Sequence, residues 1–297
     1  MSVKFSFGIR SSGPGTSADD ERAEQKEFFL KKDSDRCILL VHGLTGTIHE
    51  MAYVARSLFR QGYSVLCPSL PRHGQPLEAL RKITWNDCYL KMRQAFLDAQ
   101  ARTGARFVFA AGLSFGALLV LLLADEFKEQ LSGVSCLAPT LFYDGWNMPL
   151  SRRLLPLAYA TPLKNWFYFK EEPPYGIKDE VLRSRVHSSY TKAGFSDTKD
   201  VIQYGYPYIP VSLMYQNHLL FRHLRKRLSR IRVPVQLIQS REDDMTSFKN
   251  SQYIYDRIPS KEKEIVSLYD SYHVITVDRE RERVGQEMGR FFRKVTR

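Results

Sequence analysis

The feature that most constrains the fold of this 297-residue chain is the alternation of short apolar runs with helical patterns. Helical spacing of apolar residues is present from Met51 to Leu58, after the capping residue Thr84, and over Phe115–Phe127. This alternation predicts a doubly wound, mostly parallel α/β sheet with helices on both faces. Each apolar run suits a strand that is buried on both faces, and the runs are Cys37–Val41, Ser64–Cys67, Arg106–Ala111, Val134–Leu137, Val235–Gln239 and Glu264–Leu268.

The alternation stops after Pro139 and resumes at Val233, which indicates an insertion into the sheet protein. Residues 141–232 hold 16 of the 37 aromatic residues of the chain, together with prolines and amphipathic fragments. We therefore expect a core formed by residues 1–140 and 233–297 and an inserted cap, or lid, formed by residues 141–232. The cap aromatics suit the roof of an apolar substrate pocket, and packing within the cap explains them equally well.

A Gly-x-Ser-x-Gly motif, Gly112-Leu-Ser-Phe-Gly116, lies between the predicted strand Arg106–Ala111 and the predicted helix Phe115–Phe127. A strand-to-helix turn of this kind is so tight that its serine backbone is strained and its hydroxyl is pushed out at the tip. The glycines on either side relieve contacts with the neighbouring chain. Ser114 is therefore the predicted nucleophile, with a chance Gly/Ser turn as the alternative.

A serine nucleophile of this type needs a base and an orienting acid, in the chain order Ser, Asp or Glu, His. Acidic residues, Asp243 among them, follow the predicted strand Val235–Gln239, and His273 follows Glu264–Leu268. Ser114, the acid and the histidine thus all come after the carboxyl ends of strands, where open α/β sheets place their ligands. We expect these three side chains to meet.

The oxyanion that forms during acyl transfer needs two fixed backbone N–H donors, one of them from the residue after the nucleophile. That residue is Phe115. The second donor is predicted to be the amide of Leu44, in the segment His42-Gly-Leu-Thr-Gly46 after the strand Cys37–Val41. His42 precedes the serine in the chain, so we interpret it as a brace for this loop rather than as the base.

Five segments together resemble the serine α/β-hydrolases, and specifically their carboxylesterase and monoacylglycerol-lipase branch. The likeness covers roughly Arg36 to Thr140 and Val233 to the end of the chain, and the segment around His273 is its most specific part. The segments are His42-Gly-Leu-Thr-Gly46, Pro71-Arg-His-Gly74, Ala111-Gly-Leu-Ser-Phe-Gly116, Asp243-Asp-Met245 and Ser271-Tyr-His-Val-Ile-Thr-Val-Asp278.

The resemblance implies the α/β-hydrolase fold and a serine carboxylesterase or lipase-like hydrolase of class EC 3.1.1 that acts through an acyl-enzyme and uses no cofactor. The family places the acid two residues before a medium-sized apolar residue, which favours Asp243 over Glu242 or Asp244; these two are then expected to be solvated loop residues. The inserted segment is longer than the compact lid of the small carboxylesterases. Substrate size therefore does not carry over, and the expected substrate is a small-molecule or lipid acyl ester.

A thioesterase or acyltransferase acting on carrier-bound acyl groups is the main alternative, and a non-catalytic binding module is a weaker one. The formal charge of +12 bears on this choice, because residues 151–232 contain fifteen Lys and Arg against six Asp and Glu. The densest basic cluster, Arg222–Arg232, suits a solvated helix, or a face that docks on an anionic membrane surface or an acidic carrier protein. Nucleic-acid contact is disfavoured because no binding motif accompanies the charge.

Compartment and metal content follow from what the sequence does not contain. The longest strongly apolar stretch, Ala117–Ala124, is too short to span a bilayer, and Met1–Arg10 has no apolar signal region, so we expect a cytoplasmic protein. The histidines show no metal-ligand spacing, and no metal site is expected. Val3–Ile9 is a further strand prediction, and Ser11–Ser17 a loop prediction. The four cysteines are expected to be reduced and buried: Cys37, Cys67, Cys88 and Cys136.

Overall fold

The computed structural model describes residues 27–192 and 203–296, and the predicted strand Val3–Ile9 and loop Ser11–Ser17 lie outside these residues. Seven strands form the main sheet, in the order β1-β3-β2-β4-β5-β8-β9, and two more form a small antiparallel sheet, β6-β7. The main-sheet strands are β1 (Phe28–Leu30), β2 (Arg36–Val41), β3 (Ser64–Cys67), β4 (Phe107–Leu113), β5 (Leu131–Leu137), β8 (Val235–Ser240) and β9 (Lys263–Leu268). The small sheet consists of β6 (Tyr168–Lys170) and β7 (Tyr208–Pro210).

Helices connect these strands and flank the sheet. The α-helices are α1 (Ala52–Arg60), α2 (Leu77–Leu80), α3 (Trp85–Thr103), α4 (Phe115–Glu126), α5 (Leu155–Tyr159), α6 (Glu180–Lys192), α7 (Val211–Arg225), α8 (Lys249–Arg257) and α9 (Arg281–Lys294). Short 3₁₀ segments cover Ile48–Met51, Leu150–Leu154, Pro162–Asn165 and Leu228–Arg230. Thr84 caps α3 as predicted, and its hydroxyl accepts a hydrogen bond from the Asp87 amide at 3.2 Å.

Every strand pair of the main sheet is parallel except β1 with β3, so the predicted mostly parallel sheet is confirmed. All six predicted strands are present with small shifts at their ends, and β1, β6 and β7 were not predicted. One detail was wrong. The strand predicted at Glu264–Leu268 is not buried on both faces, because β9 is the last strand of the sheet and most of its residues are half-exposed.

Two hydrophobic clusters cover the two faces of the sheet. One combines strand residues with α3, α4, α7 and α8, and the other combines them with α1 and α9. The four cysteines are free and buried, as predicted. None of the described helices combines the length and the apolar character that crossing a membrane would require.

The segment between β5 and β8 contains α5, α6, α7 and the small sheet. Its last helix, α7, packs against α3 and α4, and Leu220 and Leu224 are buried in the same cluster as the core helices. The earlier part of the segment forms two clusters of its own, around Leu155 and around Tyr175. We propose that the core extends through α7 and that the cap proper ends near β7.

Candidate active site

Ser114 lies in the turn between β4 and α4, with backbone angles of φ 57° and ψ −112°. A positive φ is strained for a residue other than glycine, and the turn holds it because the Ser114 amide donates to the Leu137 carbonyl at 2.8 Å. A Cβ at Gly112 would lie 2.2 Å from the Gly116 carbonyl carbon, and one at Gly116 would lie 2.6 Å from the Val41 oxygen. Only glycine fits at both positions, and this close packing presents the Ser114 hydroxyl at the carboxyl edge of the sheet.

His273 and Asp243 approach Ser114 from the loops after β9 and β8. The Ser114 Oγ is 3.0 Å from His273 Nε2, and His273 Nδ1 is 2.9 Å from Asp243 Oδ2. Both the histidine and the aspartate are buried. The structure thus brings together the three residues that were predicted to meet, in a continuous hydrogen-bonded chain from hydroxyl to carboxylate.

The Asp243 carboxylate accepts four hydrogen bonds besides its contacts with His273 Nδ1, which lies 2.9 Å from Oδ2 and 3.2 Å from Oδ1. Its Oδ1 accepts the backbone N–H of Met245 at 2.9 Å and of Thr246 at 2.8 Å. Its Oδ2 accepts the Gln239 side-chain amide at 2.7 Å and the Thr246 hydroxyl at 3.1 Å. Because each carboxylate oxygen has several donors, the carboxylate is fixed in the orientation that faces His273.

Of the two alternative acids, only Glu242 fits its predicted place. Glu242 is solvent-exposed and pairs with Lys178. The prediction of a solvated Asp244 was wrong, because this side chain is 1% exposed; its Oδ2 accepts the Gly176 amide at 3.2 Å, and its Oδ1 has no partner among the described residues. Burial, together with the charge of Asp243, raises the pKa of Asp244 to about 6.

The pKa of His273 is raised by its surroundings. Burial alone would lower the pKa of this imidazole, but the carboxylates of Asp243, Asp244 and Glu50 favour its charged form and outweigh the burial. A base with a raised pKa accepts a proton from serine more readily. It must, however, be neutral before it can act.

The predicted oxyanion loop, after β2, lies beside the serine. A Cβ on Gly43 would be 3.9 Å from the Ser114 Cβ, and Leu44 lines the same cavity as Ser114. Neither the Leu44 amide nor the Phe115 amide donates to an acceptor within the described part of the chain. Two free N–H groups beside a serine hydroxyl are available to a negatively charged oxygen.

Two buried histidines brace this loop from behind. His42 Nε2 accepts the Leu70 amide at 3.0 Å, and its Nδ1 donates to the Gly43 carbonyl at 2.9 Å. His73 places its Nε2 2.8 Å from the Leu44 carbonyl. Burial lowers the pKa of both imidazoles, so they stay neutral. These contacts agree with the interpretation of His42 as a brace and give the Pro71-Arg-His-Gly74 segment a structural role.

Three residues near Ser114 were missed by the sequence reasoning. The Thr140 hydroxyl lies 2.7 Å from the Ser114 Oγ, so it can donate to the serine while the serine donates to His273. Glu50 accepts the Gly43 amide at 3.1 Å, and a Cβ on Gly46 would lie 2.0 Å from its Oε1, so its carboxyl fills the space beneath the loop. Glu171 directly follows β6, in the inserted segment, and lines the same cavity.

The two glutamates have raised pKa values. Burial raises the pKa of Glu50 to about 7. Burial, and then the charges of Glu50 and Asp244, raise the pKa of Glu171 to about 8. Glu50 lies in a 3₁₀ turn seven residues beyond Gly43, and no motif in the sequence marks it.

A cavity of about 350 Å³ opens at Ser114. Ser114, His273 and Leu44 line it, together with Glu50 and Glu171. Four tyrosines of the inserted segment also line it: Tyr143, Tyr175, Tyr190 and Tyr204. Within residues 27–192 and 203–296, no group of three or more His, Cys, Asp or Glu side chains has the arrangement of a metal site.

Comparison with known proteins agrees with this geometry. A family model described as serine aminopeptidase, S33, matches residues 32–280. The chain is 28% identical over 270 residues to a thermostable monoacylglycerol lipase of Bacillus sp. (strain H-257), covering 90% of this chain and 94% of the lipase. It is 23% identical to a carboxylesterase of Bacillus subtilis (strain 168), covering 90% and 96% of the two chains. A solved structure from the metagenome-derived lipolytic enzymes LipS and LipT superposes with a TM-score of 0.74 at 26% identity, covering 91% of this chain and 97% of that one.

Proposed function

Because this chain belongs to the α/β-hydrolase family described as serine aminopeptidase, S33, and within it to the esterase and lipase branch of carboxylester hydrolases, we propose that it cleaves carboxylic esters through an acyl-enzyme formed on Ser114. The observation that carries the proposal is the unbroken hydrogen-bonded chain from Ser114 through His273 to Asp243, of which Ser114 and His273 line the cavity.

In the first half of the reaction, neutral His273 takes the hydroxyl proton of Ser114 at Nε2 while the serine oxygen attacks the ester carbonyl. Asp243 holds the Nδ1–H side of the ring and stabilises the imidazolium that forms. Thr140 steadies the serine oxygen by donating to it. The C–O bond to the alcohol then breaks, and His273 gives the proton to the departing alkoxide.

In the second half, His273 takes a proton from water, the hydroxide attacks the acyl carbon, and the serine leaves with that proton. At both tetrahedral stages the carbonyl oxygen carries a negative charge, which the N–H groups of Leu44 and Phe115 bind. Glu50, His42 and His73 hold the loop that carries Leu44 in place.

We further propose that the substrate is a lipid-like acyl ester. The tyrosines of the inserted segment and the aliphatic side chains of Ile177, Leu182 and Val186 give the cavity an apolar wall suited to an acyl chain. Glu50 and Glu171 also line the cavity; their raised pKa values of about 7 and about 8 leave Glu171 mostly protonated near neutral pH and Glu50 divided between its two forms, and in the protonated form each can donate a hydrogen bond to hydroxyl groups of the alcohol part. A monoacylglycerol has both parts, an acyl chain and a polyol.

The experiment is a rate comparison on p-nitrophenyl esters of increasing chain length, on monoacylglycerols, and on acyl thioesters, free and bound to a carrier protein. We expect each added methylene to stabilise the transition state by up to about 0.8 kcal/mol, and so to raise kcat/KM, until the cavity is full. Longer chains should then have a lower kcat/KM. A clear preference for carrier-bound thioesters would replace the ester proposal with a thioesterase or acyltransferase.

Labelling by a fluorophosphonate, with the modified peptide identified by mass spectrometry, tests the nucleophile separately. Ser114→Ala should lose the label and at least about 10³-fold in turnover, whereas exposed Ser229, changed to Ala, is the matched control and should keep both. Labelling and hydrolysis that persist in Ser114→Ala would refute the assignment. A wild-type protein with neither label nor hydrolysis would favour a binding module.

A further inference from the structure

An unusual concentration of exposed apolar side chains lies in the inserted segment, between residues 142 and 166. Of the ten large hydrophobic residues that are exposed in the described part of the chain, seven fall there. The most exposed of these seven are Leu150 at 74%, Leu157 at 65%, Trp166 at 63%, Leu154 at 61% and Trp146 at 60%. A concentration of exposed apolar side chains of this kind indicates an interaction site, because single exposed residues scattered over a protein are ordinary and many in one short segment are not.

The three exposed leucines lie in one continuous helical run. Leu150 and Leu154 begin and end a 3₁₀ segment, Leu157 lies in helix α5, which follows that segment directly, and the three side chains are 74%, 61% and 65% exposed. Leu155, between them, points the other way and packs with Ile209 and Met214. The helical run is therefore apolar on both sides, and only the inner side is covered by the protein. We call the outer surface, formed by Trp146, Leu150, Leu154, Leu157 and Trp166, the apolar face.

The charged residues within this part of the inserted segment have one sign. Residues 145–170 contain no Asp or Glu, and they contain four basic residues: Arg152, Arg153, Lys164 and Lys170. None of the four forms an ion pair with another described residue. Arg152 donates to the Met148 carbonyl and Lys164 to the carbonyls of Tyr159 and Thr161, whereas Arg153 and Lys170 are exposed. An apolar surface with two exposed tryptophans, and with basic residues that have no acidic partner, is complementary to the boundary between acyl chains and anionic headgroups.

The inner side of the same segment reaches the cavity. Leu155 belongs to one cluster with Tyr143, Ile209 and Met245, and these three residues line the cavity at Ser114. The segment is thus a single layer between the apolar face and the cavity that holds the serine. A surface bound at the apolar face would lie next to the cavity wall.

We propose that the apolar face docks on an anionic lipid bilayer, with the leucines and tryptophans in the headgroup region and the exposed basic side chains of Arg153 and Lys170 on lipid phosphates. A symmetric contact with a second copy of the chain is disfavoured, because it would bring the same basic residues together. The docking surface is separate from the cluster Arg222–Arg232, and the inference stands whether or not the esterase proposal holds.

The test is binding to vesicles, followed by flotation and by the blue shift of tryptophan fluorescence. The full chain is mixed with vesicles of phosphatidylglycerol and phosphatidylcholine in equal parts, and separately with pure phosphatidylcholine. We expect clear binding to the anionic vesicles, which weakens with added salt because exposed charges are screened. The triple variant L150Q/L154Q/L157Q should bind at least tenfold more weakly, and R153Q/K170Q should lose the preference for anionic vesicles.

Leu90, 53% exposed on α3, provides the matched control, and Leu90→Gln should bind vesicles like the wild type. Circular dichroism and hydrolysis of a short dissolved ester check that each variant is folded. A wild type that binds no vesicles, or a triple variant that binds as well as the wild type, would overturn the proposal. Sedimentation velocity adds one more outcome: a wild-type dimer that becomes a monomer in the triple variant would make the apolar face an interface between copies.

Discussion

The loops at the carboxyl edge of the sheet and the first part of the inserted segment differ in how their side chains are partnered. In these loops the side chains of Asp243 and His273 are buried and hydrogen-bonded, whereas many side chains of the inserted segment are exposed. At the sheet edge, the carboxylate of Asp243 accepts five groups, and both nitrogens of His273 have partners. In the inserted segment, leucines and tryptophans stand in solvent, and four basic side chains lack a described counter-ion. The difference indicates that one region fixes atoms for chemistry and the other offers a surface to something outside the protein.

The largest expected effect is the loss of turnover when a buried side chain at the sheet edge is replaced. His273→Ala removes the proposed base, and we expect kcat/KM on a short ester to fall by about 10³-fold or more. Asp243→Asn leaves the shape but holds the imidazole less well, and should cost about 10²- to 10⁴-fold. The matched control is the neighbouring acid, Glu242→Gln, which is exposed and should leave the rate unchanged. If Asp243→Asn and Glu242→Gln lowered kcat/KM equally, Asp243 would have no special role in the reaction.

A second prediction concerns the close packing under the serine. Gly116→Ala would place a Cβ 2.6 Å and 2.7 Å from the carbonyl oxygens of Val41 and His42, and backbone cannot give way as a side chain can. We expect a loss of about 2–3 kcal/mol in the free energy of unfolding, measured by urea denaturation. Gly133→Ala, whose Cβ would be 3.4 Å from its nearest neighbour, is the control and should cost less than about 1 kcal/mol. Similar losses in the two variants would show that the packing at Gly116 is not tight.

The sheet edge could be predicted from sequence because its signals are local. Gly112 and Gly116 flank Ser114 within one turn, and Asp243 and His273 each follow an apolar run directly. Parallel strands end at one edge, so residues that follow several strands are brought together whatever the rest of the chain does. Thr140 and Glu50 gave no such signal, because their roles depend on distances across the fold.

The inserted segment could be predicted only as an aromatic-rich insertion. Helical periodicity places leucines on faces, but it does not say which face the protein covers, and here Leu154 is exposed while Leu155 is buried. The two short strands β6 and β7 pair across about forty residues, and three-residue strands carry too little pattern to be recognised. Asp244 was misjudged for a related reason, since the inserted Gly176 covers it.

The third prediction tests a carboxyl that the inserted segment brings to the cavity. Glu171 has a folded pKa of about 8, well above its ordinary value, so between pH 4.5 and 8 the folded protein holds a proton that the unfolded chain has released. The free energy of unfolding should therefore fall as pH rises through this window. Glu171→Gln removes this loss and should be more stable than wild type by on the order of 1–2 kcal/mol at pH 8, with little difference at pH 4.5.

The adjacent Glu172 is solvent-exposed, which makes Glu172→Gln the matched control for these urea titrations. It should follow the wild type at every pH. A Glu171→Gln curve parallel to that of the wild type would mean that the Glu171 carboxyl is ionised in the folded protein and in contact with water.

A fourth, smaller effect is on the pH profile of turnover. The raised pKa of His273 means that activity falls as pH drops through a midpoint above the ordinary histidine value of 6.5. Glu50→Gln keeps an oxygen for the Gly43 amide but removes a negative charge that favours the imidazolium, so the acid midpoint of kcat/KM should move to lower pH. Exposed Glu242→Gln should leave the midpoint in place. A shift to higher pH in Glu50→Gln would contradict the electrostatic role given to Glu50.

The smallest expected effect separates the two basic regions of the inserted segment. In the cluster Arg222–Arg232, Arg227 and Arg230 pair with Asp125 at 3.4 Å and 2.9 Å, and that carboxylate is 8% exposed, so these two arginines serve the fold. Arg225 and Lys226 are exposed, but the apolar residues beside them, such as Leu224 and Leu228, are buried and leave a bilayer nothing apolar to bind. R225Q/K226Q should therefore change the free energy of unfolding by less than about 0.5 kcal/mol and should bind anionic vesicles almost as the wild type does. A loss of vesicle binding as large as that of R153Q/K170Q would move the docking surface from the apolar face to this cluster, since charge alone would then be sufficient.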